Sequence, residues 1–142
     1  MCLNIATPSK KSNELRYDIT TMKVIQSQYR ALSPYITKDG SEIRELMHPN
    51  VQGNHQQSLA EATVTPGAQT ALHMHRITEE IYHFTAGRGT MYLGSETFEV
   101  AAGDTVAIAP GTPHCVSNTG DGPLKILCAC SPAYSHDDTF LL

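Results

Sequence analysis

Residues 67–87 read GAQTALHMHRITEEIYHFTAG and contain two strand-like runs joined by a short reversal. Side chains alternate between the two faces of a strand, so His73 and His75 project to the same side. Glu80 opens the second run, and a return of the chain at residues 76–78 brings its carboxylate beside the two histidines. Two imidazoles on one face make half of a metal site, to which Glu80 adds an oxygen ligand.

A second stretch, residues 103–118, reads GDTVAIAPGTPHCVSN and places His114 just after a Gly-Thr-Pro turn. From a distant strand, His114 can supply a third imidazole. Taken alone, two histidines separated by one residue are more often incidental than ligands, because short motifs match by chance. Three imidazole nitrogens and one carboxylate oxygen suit Mn, Fe, Co, Ni, Cu or Zn and leave coordination positions open.

Beyond these stretches, the pattern is that of a β protein. Turn signals recur from residue 35 onward at about the eight-to-twelve-residue spacing typical of sandwiches, jelly rolls and barrels. Lys38-Asp39-Gly40-Ser41 predicts a tight turn between two short strands. No amphipathic stretch of helical length follows residue 35, so we expect this part of the chain to be all-β.

The spacings of the two stretches resemble those of the cupin superfamily. Its first motif is matched by Gly67-x5-His73-x-His75-x4-Glu80-x6-Gly87, and its second by Gly103-x7-Gly111-x2-His114-x3-Asn118. One position departs, because Ala109 stands where the second motif usually has a proline. That proline shapes a turn and binds no metal, so its replacement leaves the ligand set intact. The resemblance spans residues 67–118, extends loosely to about 40–132 and identifies the chain as a small single-domain cupin, or monocupin.

The resemblance implies a cupin jelly-roll barrel, also called a double-stranded β-helix, of six to eight strands. Inside the mouth of this barrel we expect one divalent transition metal ion (Mn, Fe, Ni, Cu, Co or Zn). The implied metal ligands are His73, His75, Glu80 and His114. The motif glycines have a separate role, since they turn the chain tightly between strands, often with positive φ; they are Gly67, Gly87, Gly103 and Gly111.

The change of pattern near residue 35 divides the chain into an N-terminal extension, residues 1–35, and a cupin β-barrel domain, residues 36–142. Residues 1–14 are polar, and we expect part of the extension to be disordered. The apolar residues of 15–35 follow no clean period, so one short helix around Met22–Leu32 and an extended arm both fit. Because small cupins commonly pair through N-terminal strands that cover an exposed barrel edge, we expect a homodimer.

Aromatic residues near the ligands are candidates for acid–base chemistry. By alternation, Tyr82 and Phe84 share the face of Glu80, and we expect Tyr92 to line the same cavity. Tyr82 and Tyr92 are the candidate catalytic residues; packing in the barrel is an equal alternative for both and the better one for Phe84. Asn118 falls on the ligand face of its strand if that strand is regular.

The other histidines, one neighbouring glutamate and the cysteines have no predicted role at the metal. Glu79 and His83 fall on the strand face opposite to Glu80. Three histidines in loops or the tail have no partner in spacing: His48, His55 and His136. The cysteines match neither a zinc knuckle nor a CxxC pair, and we expect them to be small core residues; they are Cys2, Cys115, Cys128 and Cys130.

Composition argues against two classes of partner. A formal net charge of −4, with Lys10-Lys11 as the only basic doublet, argues against nucleic acid and anionic membranes, which favour basic clusters. No apolar run approaches the roughly 20 residues that span a bilayer. Residues 1–13 lack the apolar stretch of a secretory signal, so we expect cytoplasmic residence.

The resemblance implies a metalloenzyme that acts on a small organic molecule chelating the metal through oxygen. Its chemistry is then either dioxygenase-like or that of an isomerase, lyase or cyclase, and the fold itself does not choose between them. The alternative is a non-catalytic cupin that binds or senses a small molecule. A third hypothesis is a structural barrel with an incidental metal.

Overall fold

The computed structural model describes residues 23–142. The strands are β1 (Tyr35–Ile36), β2 (Glu42–Met47), β3 (Ser58–Val64), β4 (His73–His75), β5 (Glu79–Ala86), β6 (Arg88–Leu93), β7 (Glu96–Ala101), β8 (Thr105–Ile108), β9 (His114–Asn118), β10 (Leu124–Ser131) and β11 (Thr139–Leu141). A single-turn helix, α1 (Pro49–Gln52), follows β2, and 3₁₀ turns lie at Tyr29–Ala31 and His136–Asp138. Within residues 23–142, no helix is long and apolar enough to cross a membrane.

The strands form two antiparallel sheets. The six-stranded sheet has the order β1-β2-β3-β10-β5-β8, and the five-stranded sheet has the order β11-β4-β9-β6-β7. This arrangement confirms the predicted all-β jelly roll. The eleven strands described between residues 23 and 142 exceed the expected six to eight, and three of them, β1, β4 and β11, have only two or three residues.

Alternation along the central strands builds the core between the sheets. In β5, Glu80, Tyr82 and Phe84 are buried, whereas the residues between them are exposed. Apolar side chains from both sheets meet in one cluster that includes Phe84, Met91, Ile108, Val116, Leu124 and Ile126. Full burial of one such side chain contributes about 1.5–3 kcal/mol. The packed interior therefore fixes which strand residues point inward.

The turn at residues 38–41 forms as the sequence predicts. Gly40 has φ 88°, and Asp39 Oδ1 accepts hydrogen bonds from the Ser41 amide at 3.0 Å and from the Ser41 hydroxyl at 2.7 Å. The aspartate thus satisfies the backbone of a turn that glycine permits. It joins β1 to β2.

The four motif glycines have the positive φ angles that the resemblance predicts: 75° at Gly67, 82° at Gly87, 100° at Gly103 and 76° at Gly111. Gly87 has a second constraint. A Cβ added there would lie 2.7 Å from the carbonyl oxygen of Pro123, whereas one added at Gly103 would meet nothing within 4 Å. The loop before β10 therefore approaches the backbone of residue 87 too closely for a side chain.

Residues 23–34 contain no regular element apart from the 3₁₀ turn Tyr29–Ala31, and the flanking residues Gln28 and Leu32 have extended dihedral angles. No α-helix therefore spans residues 23–32. The segment contacts β2 of the same chain. Arg44 donates hydrogen bonds to the carbonyl oxygens of Tyr29 at 3.1 Å and Leu32 at 2.8 Å, and its guanidinium lies 4.3 Å from the centre of the Tyr29 ring. The expected disorder of residues 1–14 lies outside the described residues.

Gly87→Ala should destabilise the fold more than Gly103→Ala. Both substitutions force alanine into a positive-φ conformation, which costs about 1 kcal/mol. Only at residue 87 does the new Cβ also meet a backbone oxygen, and we expect a further loss of about 1–3 kcal/mol in the free energy of unfolding there. Urea denaturation of both variants measures the difference. Equal losses of unfolding free energy in the two variants would show that the carbonyl oxygen of Pro123 does not exclude a side chain at residue 87.

Candidate metal centre

Three strands bring the four predicted ligands together inside the barrel. His73 and His75 lie on β4, His114 lies on the neighbouring β9, and Glu80 reaches them from β5 in the opposite sheet. One potential ligand atom from each residue lies within 4.8 Å of the others, and no side chain of the four is more than 6% exposed. The pairing of β4 with β9 sets His73 directly opposite His114. These four residues can hold one metal ion.

Two of the imidazoles are fixed by backbone carbonyls. His73 Nδ1 lies 2.9 Å from the carbonyl oxygen of Ala71, and His114 Nδ1 lies 2.9 Å from that of Thr112. A carbonyl oxygen only accepts, so both Nδ1 atoms carry the proton. In each case the carbonyl lies two residues before the histidine, so the local backbone sets the orientation of the ring.

His75 is fixed by a hydroxyl instead. Its Nδ1 lies 3.2 Å from Thr139 Oγ1, whose own proton is donated to the carbonyl oxygen of Ser135 at 2.8 Å. The hydroxyl therefore accepts from Nδ1 of His75. In their neutral forms, all three histidines consequently keep Nε2 unprotonated. This is the tautomer of a histidine that binds a metal through Nε2 while a hydrogen bond at Nδ1 orients the ring.

The Glu80 carboxylate completes the group from the facing sheet. Its Oε2 lies 3.2 Å from His75 Nε2 and 3.4 Å from His114 Nε2, while its Oε1 accepts a hydrogen bond from the Cys130 thiol at 3.4 Å. Burial alone would raise the pKa of this carboxyl. When His114 and His75 carry a proton on Nε2, their hydrogen bonds and positive charge outweigh burial and lower the pKa to about 2. A metal cation in the place of these protons would favour the ionised carboxylate in the same way. Glu80 is therefore ionised at neutral pH.

The polar atoms at the centre fit a cation. Glu80 Oε2 and His114 Nε2 are buried and have no hydrogen-bond partner among residues 23–142. With Nδ1 protonated, each facing Nε2 presents a lone pair to the carboxylate oxygen, and such atoms repel unless a positive charge lies between them. Two ligands about 2.1 Å from one ion are themselves about 3.0–3.4 Å apart, which agrees with the contacts of 3.2 and 3.4 Å made by Glu80 Oε2.

The turn that separates the histidine strand from Glu80 is held by the C-terminal tail. The Asp138 carboxylate accepts hydrogen bonds at 2.9–3.2 Å from three consecutive backbone amides, those of residues 76–78. Burial acts to raise the pKa of Asp138, but these donors outweigh burial and lower it below its ordinary value. Hydrogen bonds to an ionised acceptor are stronger than neutral ones. The tail therefore fixes the predicted reversal at residues 76–78.

Cys130 has a contact that the sequence did not indicate. The pairing of β10 with β5 sets Cys130 opposite Glu80, so the thiol bonds to a candidate ligand besides being buried. Burial, followed by the charge of Glu80, raises the pKa of Cys130, and the thiol stays protonated as a donor. Cys128 belongs to the core cluster and Cys115 is buried, as predicted. Cys2 lies outside the described residues.

The two candidate catalytic tyrosines lie in different environments. Tyr82 is buried, with its ring centre 5.9 Å from that of His114, and burial raises its pKa well above the ordinary value, so the phenol keeps its proton. Tyr92 is 44% exposed, because β6 turns Met91 inward and its neighbours outward. The prediction that Tyr92 lines the cavity is therefore wrong. Phe84 is fully buried in the core, in agreement with the packing alternative.

The remaining residues singled out in the sequence lie away from the ligand group. Asn118 is on the inward face, as predicted. Its amide, however, donates to the carbonyl oxygens of Val64 and Gly122, both at 2.8 Å, and so connects the end of β3 to the loop before β10. Glu79 and His83 are exposed, as predicted. None of the other described histidines belongs to the candidate group; they are His48, His55 and His136.

A small cavity extends from the ligand group toward β2 and the C-terminal tail. Tyr82, Asp39, Glu45 and Tyr134 line it together with apolar side chains of the barrel, and its volume is about 50 Å³. One water molecule needs about 10–15 Å³ on this measure, whereas sites for drug-sized ligands have about 300–1,000 Å³. The cavity therefore accommodates a few waters or a molecule of a few heavy atoms.

Comparison with known proteins agrees with the fold. The family model of the cupin domain matches residues 60–130, half of the sequence and the part that carries all four candidate ligands. The chain belongs to the cupin domain family.

Three relatives show how far the similarity extends. An uncharacterized protein of Methanocaldococcus jannaschii, MJ1618, is 56% identical over 122 residues, which cover 86% of this chain and 98% of that protein. The structure of Lactobacillus farciminis oxalate decarboxylase in complex with formate is 26% identical with a TM-score of 0.69, and the match covers 80% of this chain but only 34% of that one. Streptomyces Pac13, a nucleoside dehydratase solved with uridine, is 17% identical over 85% of this chain and 92% of that one, with a TM-score of 0.69, and shows the fold alone.

Asp138→Ala should loosen the centre, whereas Asp137→Ala, at an exposed neighbouring position, serves as the matched control. We expect Asp138→Ala to lower the free energy of unfolding by about 1–3 kcal/mol, because three backbone donors lose their acceptor. Metal affinity should fall about 10-fold or more, as for other residues that support ligands. Urea denaturation and metal titration measure the two effects.

The pKa shift of Asp138 gives this stabilisation a pH dependence. Since its pKa is lowered in the folded protein, the stabilisation is present above about pH 4, the ordinary carboxyl pKa, and is lost as the pH falls through the lowered value. A variant at residue 138 that binds metal as tightly as the unaltered protein would contradict the role of the tail in positioning the ligands.

Proposed function

We propose that this cupin is a metal-dependent enzyme whose substrate is a small organic molecule that chelates the metal through oxygen. His73, His75, His114 and Glu80 would hold the metal. The observation that carries the proposal is the orientation of the three imidazoles: each Nδ1 has an acceptor, which leaves Nε2 as the ligand atom. Histidines that bind a metal through Nε2 are typically oriented in this way, by a hydrogen bond from Nδ1 to an acceptor.

A divalent transition metal bound here would supply Lewis-acid polarisation of a carbonyl, carboxylate or enol oxygen, and a redox-active one would also supply dioxygen chemistry. The residues around it keep the ligand set rigid and dry. Glu80 is ionised, and the Cys130 thiol holds the carboxylate oxygen that faces away from the histidines. The three neutral imidazoles and one carboxylate leave a net charge of about +1 with a divalent ion, which attracts an anionic or oxygen-rich substrate.

The size and lining of the cavity support a small substrate. A volume of about 50 Å³ accepts a molecule of a few heavy atoms beside the ligands. Tyr82 keeps its proton at neutral pH and acts as a hydrogen-bond donor, not as a base. Oxalate decarboxylase, a relative by fold and partial sequence identity, acts by its name on a small dicarboxylate, and this likeness supports a small carboxylate or carbonyl compound as the substrate class.

One observation favours non-catalytic binding as the second candidate function. The protonatable groups nearest to the ligands stay protonated, because burial raises the pKa values of Tyr82, Cys128 and Cys130. A centre with few available bases is also suited to a protein that binds or senses a small molecule. Turnover of a chelating substrate by the metal-loaded protein separates the two functions.

Elemental analysis of protein purified without a metal-binding tag tests the metal centre. We expect about one equivalent of Mn, Fe, Co, Ni, Cu or Zn in the unaltered protein and in the His83→Ala variant, which removes an exposed histidine of the same hairpin. His75→Ala should lose most of the metal, because one nitrogen ligand and its link to Thr139 are removed.

Absence of metal from the unaltered protein, with added metal also failing to bind, would refute the metalloenzyme. A different result would favour the third hypothesis, a structural barrel. In that case the protein would unfold when the metal is removed and would show no turnover when the metal is bound.

Metal affinity should fall as the pH drops below about 6.5, the ordinary histidine pKa, because protons compete with the metal for Nε2. Burial, aided by the neighbouring His114, lowers the pKa of His73, so this ring resists protonation further than an ordinary histidine. Glu80, with a pKa of about 2, stays ionised throughout. The measurement is metal content after dialysis between pH 7.5 and 4. A metal content unchanged down to about pH 4 would contradict ligation by three histidines.

A further inference from the structure

The cavity at the candidate metal centre shares three lining side chains with a hollow on the surface. Tyr35, Glu45 and Tyr134 line both the inner cavity and an outer hollow of about 390 Å³ on the surface. A molecule that binds at the ligands from this side passes these three residues. They therefore form a mouth, which we define as Tyr35, Glu45 and Tyr134.

Within the mouth, Glu45 has a carboxylate oxygen that is buried without a partner. Its Oε1 has no hydrogen-bond partner among residues 23–142, and its Oε2 receives only a long hydrogen bond, 3.5 Å, from the Tyr35 hydroxyl. Buried acceptors are normally satisfied, and those that are not mark places where a ligand or water completes the bonding. Burial also raises the pKa of Glu45, as expected for a carboxylate that lacks donors.

A second residue of the mouth, Tyr134, is held by contacts with two other residues. The Tyr134 hydroxyl lies 3.2 Å from Thr37 Oγ1, and its backbone carbonyl accepts from Nε2 of His48 at 3.0 Å. Its ring centre lies 5.9 Å from that of His75. Tyr134 thus lies next to a candidate ligand and also lines the mouth together with Glu45.

We propose that Glu45 determines substrate specificity by accepting a hydrogen bond from a hydroxyl or ammonium group at the end of the substrate remote from the metal. This inference rests on the proposed function, since the other end of the substrate is the oxygen that chelates the metal. The substrate class is then a short carboxylate or carbonyl compound with a terminal hydroxyl or amino group. A second carboxylate at that end is disfavoured, because it offers no donor and repels Glu45.

Calorimetric binding to Zn²⁺-loaded protein tests the assignment. The probes are straight-chain carboxylates of three to six carbons, each compared as the unsubstituted, the ω-hydroxy and the ω-amino compound. At one chain length or more, we expect the hydroxy or amino compound to bind about 10-fold tighter than the unsubstituted one, the gain from a hydrogen bond to a charged acceptor.

Variants of one strand assign this preference to Glu45. Glu45→Ala should abolish the preference, so that the three compounds of one chain length bind with equal affinity, and Glu45→Gln should keep the hydroxyl preference but lose the ammonium preference with the charge. Glu42→Ala, on an exposed position of the same β2 strand, should retain both. The isosteric glutamine variant keeps the test decisive if the alanine variant fails to fold.

The outcomes separate this inference from the proposed function. Failure of Zn²⁺ to bind the unaltered protein would overturn the proposed function and the role of Glu45 with it. Equal affinities for the three compounds at every chain length, or a preference that survives Glu45→Ala, would overturn the role of Glu45 and leave the metal centre standing.

Discussion

The structure depends on the burial of one carboxylate among three imidazoles. An isolated ionised carboxylate is costly to bury, and it persists only when a compensating charge and hydrogen bonds surround it. Glu80 lies on β5 of one sheet and the histidines lie on β4 and β9 of the other, so the centre connects the two halves of the barrel. The acceptors at Nδ1, the Cys130 thiol and the Asp138 carboxylate each hold one part of this arrangement in place.

The local parts of the site could be predicted from the sequence because they depend on alternation and turn chemistry. Residues within a short distance along the chain determine that His73 and His75 share one strand face, that Glu80 follows a reversal of the chain, and that the glycines form turns. The contribution of the C-terminal tail could not be predicted in this way. Asp138 and Thr139 meet residues 76–78 and His75 only because β11 pairs with β4, and no periodicity within the tail sets a register between strands so distant in sequence. The contact of Cys130 with Glu80 likewise depends on the pairing of β10 with β5, which the sequence around Cys130 does not indicate.

The error at Tyr92 has a different cause. A shift of one residue decides which face of a strand is buried, and Met91 takes the inner position in β6. The homodimer, the role of residues 1–35 and cytoplasmic residence stay predictions. The cupin fold supports many reactions, so the function of this member depends on the residues that line its cavity. Among these, Tyr82 and Glu45 differ in kind, since one offers a buried donor and the other an unpaired acceptor.

Anomalous diffraction at the metal absorption edge, from crystals of the untagged protein, tests the central claim most directly. We expect a single peak about 2.0–2.3 Å from Nε2 of His73, His75 and His114 and from Oε2 of Glu80, with the three Nδ1 atoms still bonded to their oxygen acceptors. Coordination through Nδ1, a peak elsewhere in the barrel, or no peak in crystals soaked with metal would contradict it.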